Sequence, residues 1–157
     1  MSLVSTDAKI TTVLKDLHRR QLAPCKKYVD EVIALHKRLP RLASHGRRIA
    51  VAQVQITADR NRIVQMKAVC LRELQELRDV RGSLTDYITV RYHNFLDQYK
   101  NKPARDAVIN DALLPLSHRI KPLENTLEIM DVILADYDKA AYAVKDICSA
   151  LALGQRE

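Results

Sequence analysis

Glycine is scarce in this chain of 157 residues: only Gly46, Gly82 and Gly154 occur. A loop that cradles phosphate needs several glycines close together, so nucleotide-binding folds of the P-loop and dinucleotide kinds are excluded. Tryptophan is absent and Phe95 is the sole phenylalanine. Six tyrosines cannot furnish the aromatic-rich interior of an all-β domain. The three cysteines, Cys25, Cys70 and Cys148, are odd in number and scattered. They form no disulfide framework and suggest a reducing compartment, with Cys70 and Cys148 packed as thiols on apolar stripes. No apolar run reaches 18 residues, and Asp7 and Lys9 interrupt any leader-like stretch. The expectation is a protein without a membrane span or signal peptide, acting inside the cell.

What the chain has instead is Leu, Ile, Val, Ala, Lys, Arg and Glu at helical spacing, which predicts an all-α helical bundle with a long middle helix. Ser5, Thr6 and Asp7 offer N-caps for a first helix carrying Ile10, Val13, Leu14 and Leu17 and ending near Leu22. Pro24 suits the first position of a second helix, which Pro40 stops or kinks, with Arg41 to Gly46 as a connection. From Arg47 the apolar positions Ile49, Ile56, Ile63, Cys70, Leu77 and Leu84 recur every seven residues. That pattern fits one helix to Tyr99, or two meeting near Gly82 and Ser83. Asn101 to Pro103 break it, and residues 106–111 read as a loop or short helix.

The C-terminal stretch carries the strongest pattern. Leu116, Ile120, Leu123, Leu127, Met130, Leu134, Tyr137, Ala141, Val144, Cys148 and Leu151 are separated by alternating steps of four and three. A seven-residue repeat keeps one side of a helix facing a partner, as in a coiled-coil seam. Ile129, Val132, Ile133, Tyr142 and Ile147 widen that face, which suits a bundle or a multi-helix assembly. The partner can be another copy or an earlier helix of the same chain. Pro122 removes a helical hydrogen bond, so the main helix is expected to begin at Lys121 or bend there.

Charge is unevenly spread. Residues 1–105 hold 21 Lys and Arg against 10 Asp and Glu, whereas residues 106–157 hold 5 against 9. A basic body joined to an acidic, heptad-patterned end reads as a helical polyanion-binding region over 1–105, DNA-binding where that polyanion is nucleic acid, joined to an assembly or oligomerisation region over 106–157. Catalytic constellations are missing from the sequence. His18, His36, His45, His93 and His118 lack the spacing that places two ligands on one metal, and Asp131, Asp136 and Asp138 spread around their helix. No catalytic residue, metal site or cofactor is expected.

Binding nucleic acid asks less: Lys and Arg to replace counterions at phosphates, and flat side chains for bases to stack on. Arg60, Lys67, Arg72, Arg78, Arg81, Arg91, Lys100 and Lys102 supply the charge, and Tyr92 and Tyr99, with Tyr87 and Phe95, the rings. The segment LENTLEIMDVILADYDKAAYAVK, Leu123 to Lys145, resembles the C-terminal helix of phage recombination mediators of the UvsY type. The likeness rests on Leu123, Leu127 and Glu128 at its start, Tyr142, Val144 and Lys145 near its end, and Gly154 beyond. The basic stretch with paired aromatics and a glycine found in that family is not intact here; Arg91, Tyr92, Phe95, Tyr99 and Lys100 come nearest. The resemblance implies a homo-oligomer, a ring of six or seven joined through Leu123, Leu127, Met130, Leu134, Tyr137, Ala141, Val144, Cys148 and Leu151. It also implies single-stranded DNA binding and loading of a RecA-like recombinase onto strands coated by single-strand-binding protein, in the host cytoplasm for a phage product. The alternative from the residues alone is a non-enzymatic helical adaptor or scaffold that binds another protein through its apolar seam.

Overall fold

The computed structural model describes residues 3–20, 23–43 and 49–154, without the side chains of 3, 5, 40–43 and 151–154. Among them there is a 3₁₀ turn, Leu3–Thr6, and then only α-helices: α1 (Ala8–Arg19), α2 (Cys25–Ala43), α3 (Ile49–Arg91), α4 (His93–Leu96), α5 (Lys102–Ala112) and α6 (Leu114–Gly154). The protein is all-α, as its composition predicts.

The ends of these helices follow local chemistry. Asp7 caps α1, its Oδ1 accepting from the amides of Lys9 at 2.8 Å and Ile10 at 3.2 Å. Asn101 caps α5 by accepting from the Ala104 amide at 2.9 Å, with Pro103 in the first turn, where a missing N–H costs nothing. The residues expected only to break a helix therefore start one. Leu22 and the end of the connection after Ala43 lie outside the described residues.

At two prolines the helix does not stop. α2 runs through Pro40 to Ala43, and α6 is one helix across Pro122 rather than starting at Lys121. Pro122 and His118 are both exposed, so solvent is at hand for the carbonyl that loses its amide partner. α3 also passes Gly82 unbroken and stops at Arg91. The break falls at Tyr92, with φ −114° and ψ 22°, and not at the glycine.

The chain packs as two compact units, Met1–Ala23 with Arg72–Glu124, and Pro24–Leu71 with Asn125–Glu157. Each draws on residues from both sides of position 105, because α3 and α6 contribute to both.

The second unit is a three-helix bundle of α2, the first part of α3 and the second part of α6. Arg60 pairs with Asp138 and Lys67 with Asp131, so α3 and α6 run antiparallel. Glu31 meets Arg62 and Arg38 meets Asp59, which sets α2 antiparallel to α3 as well. Val32, Leu35 and Leu39 from α2, Ile56, Ile63, Met66 and Cys70 from α3, and Leu127, Met130, Ile133, Tyr137 and Val144 from α6 fill the core. Within it Asp59 is 4% exposed and accepts from Arg38 Nη2 at 2.9 Å and Gln55 Nε2 at 2.8 Å. The Tyr137 hydroxyl donates to the Leu35 carbonyl at 2.9 Å, and burial pushes its pKa well above the usual phenol range.

The first unit gathers α1, the rest of α3, α4, α5 and the start of α6. Ile10 and Leu17, Leu74, Leu77, Leu84 and Ile88, Leu96, Ile109 and Leu113, and Leu116, Ile120 and Leu123 form its interior. Asp7 ties the N-terminus to the end of α3. Its Oδ2 accepts from the Tyr92 hydroxyl at 2.6 Å and from the Tyr87 hydroxyl at 3.3 Å.

Candidate nucleic-acid interface

A lysine or arginine serves a phosphate well only when no carboxylate already holds it. In the second unit that condition fails for two of the expected residues. Arg60 Nε donates to Asp138 at 2.6 Å, and the Lys67 ammonium sits on the Asp131 carboxylate. Neighbouring Arg62 donates to Glu31 at 2.7 Å, which holds the Glu31 carboxyl below its ordinary pKa and raises that of Arg62. Exposed pairs of this kind add little to stability, yet they neutralise the basic face on which sequence reasoning relied.

The first unit holds the others. Arg78 Nη2 donates to Glu124 at 2.7 Å and Arg81 Nη2 to the Asn110 side chain at 2.9 Å. Arg72, Arg91, Lys100 and Lys102 are exposed and have no acidic partner among the described residues. Three of these four, Arg91, Lys100 and Lys102, follow one another along the end of α3 and the turn into α5. Between them lies an aromatic pair: Phe95 and Tyr99 meet edge to face, ring centroids 5.7 Å apart, and both are half-buried.

Tyr92 does not join that pair. Its hydroxyl is spent on Asp7, which raises the Tyr92 pKa and, together with the amides of Ile10 and Lys9 and the Tyr87 hydroxyl, holds the Asp7 carboxyl below its ordinary value. Lys9 Nζ covers the Tyr87 ring at 4.1 Å. Two of the expected stacking surfaces are thus engaged in anchoring α1. Arg105 is held by Asp97 at 3.2 Å and by the Tyr99 carbonyl at 3.0 Å, and is likewise unavailable.

No protein-family profile, curated protein or solved structure matches the chain. The geometry of the chain itself is therefore what bears on its chemistry. Among the described residues no three His, Cys, Asp or Glu side chains converge as a metal site would require, and no helix is long and apolar enough to cross a membrane.

The seam residues of α6 lie inside the single chain. Leu123, Leu127, Met130, Tyr137 and Val144 are buried, while Leu134, Ala141 and Cys148 are half-buried; the Leu151 side chain lies outside the described residues. Of the alternatives open for this helix, packing against earlier helices of its own chain is the arrangement observed. Off the seam, Ile133 is buried and Ile129 half-buried, but Val132, Tyr142 and Ile147 are exposed.

Sequence reasoning overlooked the acids as partners. Arg60 and Lys67 stand seven residues apart on α3, and Asp131 and Asp138 seven apart on α6. That matched spacing in opposite sense is what an antiparallel pair of helices needs to align two ion pairs. It was a readable signal.

Proposed function

We propose that this protein is a non-enzymatic recombination mediator. In this reading it binds single-stranded DNA as a homo-oligomer of six or seven copies in the cytoplasm. It then promotes loading of a RecA-like recombinase onto strands coated by single-strand-binding protein. The observation that carries the DNA-binding part is the run of Arg91, Lys100 and Lys102, without acidic partners among the described residues, around the half-buried rings of Phe95 and Tyr99. Cations release counterions from the phosphates, and the rings offer π-faces to unpaired bases, so the strand would pass over the end of α3 and the turn into α5. The recombinase-loading role rests on the resemblance of Leu123 to Lys145 to the UvsY-type helix.

Assembly in this reading uses the outer side of α6, where Val132 is 66% and Tyr142 69% exposed, and leaves the buried seam within each copy. Repeating a modest cationic site around a ring converts weak contacts into firm binding. The same exposed side chains also suit the second reading, a helical adaptor for another protein, which would use this outer side because the seam is covered. Anisotropy with labelled oligo-dT separates the two. A mediator binds with affinity that grows with strand length and falls steeply as salt rises. An adaptor leaves the oligonucleotide free at moderate salt.

A further inference from the structure

A second cationic surface in the first unit shares no residue with the site around Phe95 and Tyr99. A cleft of about 300 Å³ opens between the last turns of α1 and the first turns of α6. Leu17 and Leu116, 6% and 0% exposed, close its floor, with Leu14 and Pro115 beside them. Arg119 forms one wall and is fixed there: one Nη donates to the Leu17 carbonyl at the end of α1, and the other lies 3.3 Å from His18 Nδ1. Two further hollows adjoin the cleft, one through Leu14 and His18 and one through His118. Lys15 and Lys121 stand along them, exposed and without a partner among the described residues. One acid lines these hollows, Glu124, and it is held by Arg78, while Asp16 lies beside them, exposed and only 4.0 Å from Arg19; against these two stand Lys15, Arg19, Arg81, Arg119 and Lys121, so the rim stays cationic.

We infer that this trough docks an acidic peptide segment of a partner protein, one that carries large apolar side chains among aspartates or glutamates. The charge of the rim calls for carboxylates, which arginine and lysine bind by charge-assisted hydrogen bonds. The aliphatic floor calls for an apolar side chain. A nucleic-acid strand fits less well, because the only rings along the trough are the small imidazoles of His18 and His118, with no tyrosine or phenylalanine to stack on a base. The surface is separate from the strand site proposed above, so each can fail alone.

The test uses a fluorescein-labelled synthetic peptide in which phenylalanine and leucine alternate with aspartates, and a control with serine at the apolar positions. The intact protein is expected to bind the first and to bind the control at least tenfold more weakly, about what one lost apolar contact is worth. Reversing charge with Lys15→Glu and Lys121→Glu together should weaken the peptide about tenfold, two exposed pairs' worth, with the helical circular dichroism unchanged. Leu14→Ser should reduce the preference over the control, as one of the apolar walls is lost, while leaving binding of the control as it was. The Arg91→Ala, Lys100→Ala, Lys102→Ala variant should bind the peptide like the parent. Equal binding of the two peptides, or indifference to the charge reversal, overturns the proposal. So does displacement of the peptide by oligo-dT whose own affinity falls in the Lys15→Glu, Lys121→Glu protein, since the trough would then be a strand site.

Discussion

Asp7 shows how much one short side chain can decide. It caps α1 with one oxygen and receives two tyrosine hydroxyls on the other, so the same carboxylate starts a helix and fastens it to the end of α3. These hydrogen bonds favour the ionised form and lower the pKa from its ordinary 3.8. The folded chain therefore binds the proton less readily than the unfolded one. Stability from Asp7 is present above the unfolded pKa and drains away as pH falls through the lower folded value. Asp7→Asn should flatten the dependence of unfolding free energy on pH below about 4, because the neutral amide has no proton to gain. Urea titrations of both proteins across that range read the difference directly. The capping role of Asp7 is legible from its place before an apolar-periodic run; its tyrosine partners are not. They lie 80 and 85 residues away, and nothing local in Tyr87 or Tyr92 distinguishes a hydroxyl donor from a base-stacking ring.

Helix boundaries were harder to read than helix identity, for a physical reason. Propensity assigns a cost to each glycine and proline, but packing along the whole helix decides whether that cost is met. α3 crosses Gly82, which is exposed and whose missing Cβ would meet nothing within 4 Å. Gly82→Ala should therefore stabilise the protein by about 0.5–1 kcal/mol, through helix propensity alone. A thermal melt should show this as a rise of roughly 1–4 °C, and a fall would mean that the glycine is needed as a bend. α6 crosses Pro122 on its exposed side, while Ile120 and Leu123, two residues before it and one after, are both buried in the same unit. The actual stop of α3 at Tyr92 is tied to a long-range hydrogen bond, and no breaker residue marks it. The heptads of α6, in contrast, were legible as an apolar stripe, most of which is buried, with Leu134, Ala141 and Cys148 half-buried. What they did not contain was the identity of the partner, since an earlier helix and a second copy offer the same apolar surface.

At the scale of the molecule, the ion pairs between α3 and α6 redistribute what the net charge of +7 seemed to offer. Much of the apparent basic face is internal register, set by Arg60 with Asp138 and Lys67 with Asp131. Deleting residues 123–157 would remove most of one core wall of the second unit, including Met130 and Tyr137. Such a truncation should lose helicity and cooperative unfolding rather than yield well-folded monomers. By comparison, Val132→Ser with Tyr142→Ser touches only exposed side chains; assembly through the outer side of α6, as proposed, predicts a lower mass in light scattering with the helical circular dichroism unchanged, and an unchanged mass contradicts it. The central claim is that cations without acidic partners, and not those paired with α6, hold the strand. It is tested most directly by titrating oligo-dT across a salt series with two triple variants, Arg91→Ala, Lys100→Ala, Lys102→Ala and Arg60→Ala, Lys67→Ala, Arg78→Ala. The first should bind more weakly, with the slope of log affinity on log salt shallower by about 2, as expected for three lost phosphate contacts on a single strand. The second should keep the parent slope. Equal slopes for parent and first variant, or the larger loss in the second, would contradict the claim.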